Sequence, residues 1–181
     1  KGFGMTDLVS PVVDERVSYY AARPQALRTM LERGRKYLYH IVTELEKRGM
    51  PTELALLPVV ESAFNPQALS SAKAAGLWQF IPSTGKDFQL TQNWWVDERR
   101  DVIASTQAAL QYLQAIYEMH GDWHLALASY NWGEGAVARA INNNVRAGKP
   151  VDFNSLTMPA ETRQYVPKLQ ALKQIIASPE L

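Results

Sequence analysis

The stretch PQALRTMLERGRKYLYHIVTELEK, residues 24–47, is the clearest structural signal in this chain. Apolar side chains recur in it at every third or fourth position, which is the spacing of a helix with one buried face. These side chains are Leu27, Met30, Leu31, Tyr37, Leu38, Ile41, Val42 and Leu45. Gly49 and Pro51 follow, and both residue types end helices. The spacing therefore predicts one long amphipathic helix.

Helical spacing continues on both sides of this stretch. A shorter amphipathic helix is predicted over residues 12–21. After the long helix, Thr52 and Glu53 are expected to open another one that runs through Phe64 and is stopped by Pro66. The first third of the chain is therefore predicted to be mainly helical.

The C-terminal part of the chain repeats this pattern. A helix is predicted over residues 101–119, and Asp122 is a natural N-cap for the next one. Another helix should start after the glycine turn near residue 133. Residues 159–177 are expected to form one or two further helices, with a break at Pro167.

Residues 70–85 interrupt the helical pattern because they are rich in Gly, Ser and Pro. We predict short helical pieces joined by turns there. Strand patterns are sparse along the whole chain, and strands do not alternate with helices as a parallel sheet would require. The predicted class is mainly α, with little or no sheet.

The composition excludes several functions. Hydrophobic residues make up 46% and charged residues 20% of the 181 positions, values typical of one globular domain. A net charge of +1 provides no broad attraction for nucleic acid or an anionic membrane. The absence of cysteine excludes thiol catalysis and disulfides.

Metal and membrane roles are also not indicated. His120 and His124 are separated by a helix-breaking Gly121, so a shared ligand face is not expected, and we predict no metal and no cofactor. No run approaches the roughly 20 apolar residues of a membrane span. Residues 1–9 lack the apolar core of a secretion signal, so the protein is either cytosolic or a processed or excised piece, and Lys1 at the start favours the second interpretation.

One carboxylate stands out in LLPVVESAFNP, residues 56–66. If this segment is helical, Leu57 and Pro58 lie one turn before Glu61 and Phe64 one turn after it, on the same face. Apolar surroundings raise the pKa of a carboxyl group, as a general acid requires near neutral pH. The alternative is a buried glutamate satisfied by a backbone amide or an arginine, and the segment alone favours that alternative.

Four sequence blocks favour the general acid over the buried structural glutamate. They are ELALLPVVESAFNP, AAGLWQFIPSTG, RRDVIASTQAAL and PAETRQYVPKL, together with SYNWGEG at residues 129–135. In this order, over roughly residues 25–175, they resemble the lysozyme-like lytic transglycosylases of glycoside hydrolase family 23. The resemblance implies a lysozyme-like fold in one domain. Residues 1–50 would form helices packed on a core of residues 51–181.

The resemblance also implies a reaction. Glu61 matches the single catalytic acid of the family, which protonates the β-1,4 linkage between N-acetylmuramic acid and N-acetylglucosamine in peptidoglycan. The resulting carboxylate then takes the proton of the muramic C6 hydroxyl, which closes a 1,6-anhydro ring. Ordinary glycosidases need two carboxylates. No second one lies in the apolar block around Glu61, the next downstream being Asp87.

Two further residues near Glu61 match family positions that line the substrate cleft. Ser70 and Gln79 are expected to hydrogen-bond the acid or the acetamido group of the sugar. For Ser70, a role in a turn or helix cap is an equal alternative. Gln79 is flanked by apolar residues, so its amide needs partners, which a ligand would supply.

Three later residues complete the predicted site. Tyr130 matches the tyrosine that points at the reacting sugar, although a core tyrosine is the alternative. Asn131 is expected to bridge a helix end and the cleft wall. Trp132 stands where the family has a small residue, which alters the expected cleft. Glu161 borders the cleft in the family, and pairing with Arg163 or another base is its expected role.

The remaining tryptophans are left out of the site. Trp94, Trp95 and Trp123 have faces that can stack on sugars, but tryptophans in a domain of this size lie mostly in the core. We therefore predict core positions for them.

The predicted partners are peptidoglycan glycan strands and muropeptides, bound by a monomer in the cell envelope, at the periplasm or the outer membrane. Two alternatives stay open at this point. One is a goose-type lysozyme that uses water as the nucleophile. The other is a non-catalytic protein that binds cell-wall glycans.

Overall fold

The computed structural model of this chain describes residues 3–178, which fold mainly into helices. Among these residues the α-helices are α1 Pro11–Ala21, α2 Pro24–Lys47, α3 Leu57–Ser62, α4 Pro82–Asp87, α5 Val102–His120, α6 Trp123–Trp132, α7 Glu134–Arg146 and α8 Ala160–Ala177. Short 3₁₀ helices span Thr52–Leu56, Glu98–Arg100 and Phe153–Ser155. The described range contains isolated antiparallel bridges and no strand. The mainly α class is confirmed.

The chain forms two compact units. The first contains Gly4 and Arg23–Tyr112, and the second contains Met5–Ala22 and the chain from Leu113 onwards. Helix α5 therefore contributes residues to both units. The predicted division of one domain at residue 50 stays a prediction.

The first unit is built on α2, whose bounds agree with the predicted 24–47. Its apolar face buries Leu27, Ile41 and Leu45. The core of this unit also contains Trp78, which is fully buried and donates from Nε1 to Thr106 Oγ1 at 3.0 Å. This hydrogen bond satisfies the one polar atom of the indole and ties the segment around residue 78 to α5.

Residues 70–85 contain less helix than predicted. Antiparallel bridges join Leu69 to Ala75 and Ala75 to Phe80, and the only helix in this segment is α4, which begins at Pro82. The physical reason lies in the backbone at Gly76, where φ is +86°. This left-handed conformation reverses the chain direction and is incompatible with a helical turn.

The second unit is organised around α8, which packs against α1 and α6. Helix α6 packs in turn against α7. The predicted N-cap of α6 is confirmed, because the Asp122 side chain accepts a hydrogen bond from the Leu125 amide at 3.0 Å. This cap satisfies one of the free amides at the start of the helix.

The predicted break at Pro167 is wrong, since α8 continues through it as one helix. A proline inside a helix removes one hydrogen bond and crowds the preceding turn. Here Pro167 is buried together with Val166 and Leu169, and α8 packs on two other helices. Burial of this apolar face offsets the lost hydrogen bond.

The core prediction is wrong for two of the three tryptophans. Trp94 and Trp95 are 90% and 86% exposed. Trp123 is half-buried and stacks on Tyr117, with ring centroids 4.3 Å apart and an interplanar angle of 14°. No helix formed by the described residues has both the length and the apolar character to cross a membrane.

Candidate active site

Glu61 lies in the last turn of α3, and its side chain is half-buried. The preceding turn contains Leu57, Pro58 and Val59, all buried. The helical turn before Glu61 is therefore apolar. Glu61 itself stays partly exposed to solvent.

Helix α3 ends two residues earlier than predicted. Ala63 and Phe64 adopt left-handed φ angles of 51° and 56°, so Phe64 does not lie one turn after Glu61 on the same helix face. Two consecutive non-glycine residues in this region are strained, at a cost of about 1–3 kcal/mol each. Such a conformation persists only where surrounding contacts enforce it.

Helix α2 supplies those contacts. The Phe64 ring is fully buried against Gly34, where a Cβ would lie 2.3 Å from Phe64 Cδ2. Arg33 also donates from Nη1 to the Ala63 carbonyl at 3.0 Å. The long helix therefore holds the turn that follows Glu61, and this turn sets where α3 ends.

Ser62 joins α3 to the segment that carries Gln79. Its Oγ lies 2.9 Å from the Leu77 carbonyl oxygen and 3.1 Å from that of Pro58, and the hydroxyl donates to these acceptors. Sequence reasoning assigned no role to this serine, although the Glu-Ser pair was part of the motif. Ser62 is a positioning residue, since it orients the helix turn that bears Glu61.

Gln79 lies in a strained turn of its own, with φ of 52° and a half-buried side chain. Its Nε2 donates to the Gly76 carbonyl at 2.8 Å and to the Ala68 carbonyl at 3.3 Å. The sequence predicted that a ligand would supply the hydrogen-bond partners of this amide. For the amide nitrogen, backbone carbonyls supply them instead. These bonds hold the side chain in one orientation beside the turn.

This turn approaches another backbone segment very closely at Gly76. A Cβ on Gly76 would lie 1.9 Å from the Arg99 carbonyl oxygen. The Gly76 amide donates to the Ala68 carbonyl at 3.0 Å, so the glycine is held on both sides. Only glycine fits both the positive φ and this contact.

The buried Arg99 guanidinium connects the loops around this turn. It makes a bidentate ion pair with Asp97, with Nη2 to Oδ2 at 2.7 Å and Nε to Oδ1 at 2.9 Å. Its Nη1 donates to the carbonyls of Lys73 and Phe80 at 2.7 and 3.0 Å. The charge is thus paired and hydrogen-bonded, as burial requires. We call the Arg99–Asp97 pair the clamp. Through Arg99 it is hydrogen-bonded to both ends of the segment 73–80.

This clamp predicts an acid-dependent loss of stability. The guanidinium hydrogen bonds lower the pKa of the Asp97 carboxyl below its usual value. The stabilisation is therefore complete above the unfolded-state pKa of about 3.9 and is lost as the pH falls through the lowered folded-state pKa. We expect Asp97→Asn to make the free energy of unfolding less steep with pH in this acid range, as measured by urea denaturation from neutral to acid pH.

The matched control is Asp87→Asn, which removes an exposed carboxyl from the same unit. Identical slopes for the Asp97 and Asp87 variants would contradict the role of the clamp.

Ser70 is exposed and stabilises a tight turn. Its Oγ accepts from the Ala74 amide at 3.0 Å, and its backbone amide donates to the Ala74 carbonyl at 2.9 Å. The turn role that the sequence left open is therefore present. Its predicted contact with the acid or the substrate stays a prediction.

The second unit contains Tyr130, Asn131 and Glu161. Tyr130 and Asn131 are half-buried at the end of α6, and Glu161 is exposed in the first turn of α8. Asn131 Nδ2 donates to Glu161 Oε1 at 3.3 Å, and Asn131 Oδ1 accepts from Thr162 Oγ1 at 2.8 Å. This cluster joins the end of α6 to the start of α8. The expected partner of Glu161 was a base, and the observed partner is this amide.

The six predicted residues are thus divided between the units, three in each. Within the first unit, Ser62 links the Glu61 helix to the turn of residues 76–80, and the Gln79 amide holds that turn internally. Within the second, a direct hydrogen bond joins Asn131 and Glu161. The described residues contain no group of three or more His, Asp or Glu side chains arranged to hold a metal ion.

The fold and the placement of Glu61 define a mainly α domain with one half-buried acid at a helix end. A model of the Transglycosylase SLT domain family matches residues 38–153. The chain belongs to this family. Membership confirms both the resemblance carried by the sequence motifs and the lysozyme-like class expected from it.

The similarity to individual proteins agrees with this family assignment. Membrane-bound lytic murein transglycosylase D of Escherichia coli (strain K12) is 49% identical over 165 residues, which are 91% of this chain and 36% of that protein. The same values hold for its counterpart in Escherichia coli O6:H1. Membrane-bound lytic murein transglycosylase C of Glaesserella parasuis serovar 5 is 31% identical over 140 residues, covering 69% of this chain and 38% of that protein. The chain thus spans little more than a third of the length of these curated relatives.

Proposed function

We propose that this chain is a peptidoglycan lytic transglycosylase domain that uses Glu61 as both acid and base. The observation that carries the proposal is the placement of Glu61, half-buried at the end of a short helix whose last turn is held by Ser62 and by the strained residues after it. Family membership and the similarity to a lytic murein transglycosylase support the same reaction.

The reaction follows from the chemistry of one carboxyl group. The Glu61 carboxylic acid would protonate the bridging oxygen of the β-1,4 bond between N-acetylmuramic acid and N-acetylglucosamine, so that this bond breaks. The carboxylate left behind would then remove the proton from the C6 hydroxyl of the same muramic residue. The hydroxyl oxygen bonds to the anomeric carbon and closes the 1,6-anhydro ring. Glu61 ends the cycle protonated again, and no water is consumed.

The positioning contacts suit this double role. A group that gives a proton to one oxygen and takes one from another must keep its place in both steps. The bond from Ser62 Oγ to the Leu77 carbonyl and the contacts of Ala63 and Phe64 with α2 restrain the helix end that bears Glu61. Because Nε2 of Gln79 is engaged with backbone carbonyls, its Oε1 is the atom we assign to the substrate.

The other predicted substrate contacts are part of the same proposal. Ser70, Tyr130, Asn131 and Glu161 are assigned to substrate binding by their match to the family motifs. The substrate places the domain in the cell envelope, at the periplasm or the outer membrane. We propose that it acts there on glycan strands and muropeptides as a monomer.

The mass of the product tests the proposal. Digestion of purified sacculi by this chain should release fragments ending in 1,6-anhydromuramic acid, each lighter by one water than the hydrolytic product. Mass spectrometry of the soluble fragments makes the distinction. Fragments with reducing ends would establish a goose-type lysozyme instead, and sacculus binding without any fragments would establish a glycan-binding protein.

A further inference from the structure

The loop between α4 and α5 displays two neighbouring tryptophans to solvent. Trp94 is 90% and Trp95 86% exposed, and Val96 beside them is 50% exposed. We call residues 93–96 the tryptophan tip. Two adjacent indoles in water leave a large aromatic area without partners, and such surfaces mark binding sites more often than accidents of folding.

Backbone hydrogen bonds hold the tip in a fixed shape. Asn93 Oδ1 accepts from the amides of Trp95 and Val96, each at 2.8 Å, and the Asn93 amide donates to the Val96 carbonyl at 2.8 Å. The base of the tip is closed by an antiparallel bridge between Gln92 and Asp97. The tryptophans are therefore presented by a tight turn, and little conformational entropy remains to be lost on binding.

A depression of about 500 Å³ with mixed polar and apolar walls adjoins the base of the tip. Its walls carry amide and hydroxyl groups from Ser83, Gln89, Thr91 and Gln92, one cation from Lys86, and apolar surface from Pro82 and Leu90. Gln92 connects the tip to the depression. Its backbone forms the bridge with Asp97 below the tip, and its side-chain Nε2 donates to the Pro82 carbonyl at 2.9 Å. Aromatic faces beside a few convergent amides and hydroxyls are the usual makeup of a site for a neutral polar ligand.

We propose that the tryptophan tip and this depression bind sugar rings of the peptidoglycan glycan strand, as a contact of the first unit additional to Glu61. The indole faces would cover the C–H faces of the sugar rings, and the amides and hydroxyls would take the sugar hydroxyl and acetamido groups. The proposal rests on the proposed function for its ligand. It names residues that the reaction itself does not require.

The charges around the tip favour a glycan over a lipid surface. Binding to an anionic membrane uses clusters of Lys and Arg next to the inserted residues. Here the tip is followed directly by Asp97 and Glu98, and the Arg99 guanidinium is buried in its pair with Asp97. The uncharged hydroxyl and acetamido groups of sugar rings meet no such repulsion from these carboxylates.

The test is sedimentation with purified sacculi, carried out in a chain that also carries Glu61→Gln so that the sacculi stay intact. Replacing Trp94 and Trp95 with alanine should raise the sacculus concentration needed for half-saturation about tenfold, because two ring contacts are lost. The phenylalanine pair, which keeps the aromatic faces, should stay within about threefold.

Tyr39→Ala is the matched control, since this tyrosine is 82% exposed on α2 in the same unit. Its binding should stay within about twofold of the parent chain. Each tryptophan is also replaced singly, and the thermal midpoint of every variant is measured, so that a loss of folding is recognised.

Unchanged sacculus binding by the alanine pair would overturn the proposal. The proposal would also be overturned if the alanine pair no longer sedimented with phosphatidylglycerol vesicles but still bound sacculi, because that result identifies a membrane contact. Failure of the proposed function looks different, since it appears as cleavage that survives Glu61→Gln or as hydrolytic products, whatever the tip variants do.

Discussion

Replacing Glu61 with glutamine lowers the release of anhydromuramyl fragments from sacculi by about a thousandfold or more, because general acid–base catalysis by one group contributes roughly 10²–10⁴ and Glu61 serves in both directions. Glutamine has nearly the same shape but carries no proton that it can transfer. The half-buried site at the end of α3 accepts an uncharged side chain of this size. We therefore expect the variant to fold and to bind sacculi while turnover is lost, as measured by quantitative mass spectrometry of released fragments.

Glu161→Gln is the matched control for this prediction. Glu161 accepts a hydrogen bond from Asn131 Nδ2 at 3.3 Å, and the glutamine oxygen can accept the same bond. The rate should stay within about tenfold of the unchanged chain, since Glu161 is assigned to substrate binding and takes no part in the proton transfers. An equal loss in both variants, or full activity of Glu61→Gln, would refute the single-acid mechanism.

Gly76→Ala should lower the free energy of unfolding by about 4 kcal/mol, the sum of backbone strain and overpacking. The added methyl group would stand 1.9 Å from the Arg99 carbonyl oxygen, and φ there is +86°. Neither group can move aside alone, because Arg99 is held through its guanidinium by Asp97, Lys73 and Phe80. A loss of this size is a large part of the stability of an ordinary domain.

Gly49→Ala separates the two contributions. Gly49 also has a positive φ, of +66°, but no atom lies within 4 Å of the position that its Cβ would occupy. This control should cost only about 1–2 kcal/mol for the left-handed backbone. Urea denaturation of both variants gives the comparison. Equal losses would show that the contact with the Arg99 carbonyl is without consequence.

Regular helices were predictable because their signal is local. The bounds of α2 follow from apolar spacing and from the Gly and Pro residues beyond its end. The cap of α6 follows from Asp122 for the same reason. Glu61 could also be proposed from the sequence, since it stands in an apolar segment and the four motifs follow one another in the order that the family has.

The structural predictions were wrong where contacts with residues distant in the chain outweighed the local preference for a helix, a break or a buried position. Helix α3 ends before Ala63 because Phe64 packs on Gly34, thirty positions earlier, and no pattern within the segment records this contact. Pro167 stays inside α8 because two other helices cover its buried face. Trp94 and Trp95 were expected in the core from residue type alone, whereas a turn closed by Asn93 exposes them.

The sequence by itself determined the helical class, the family and the identity of the proposed acid, because these depend on residue spacing and on motifs read along the chain. Tertiary structure alone decided how Glu61 is held. Ser62 reaches Leu77, Arg33 reaches Ala63, and Arg99 joins Asp97 to the ends of the turn at residues 73–80. Such contacts join parts of the chain far apart in sequence, and their energies depend on distances that exist only after folding.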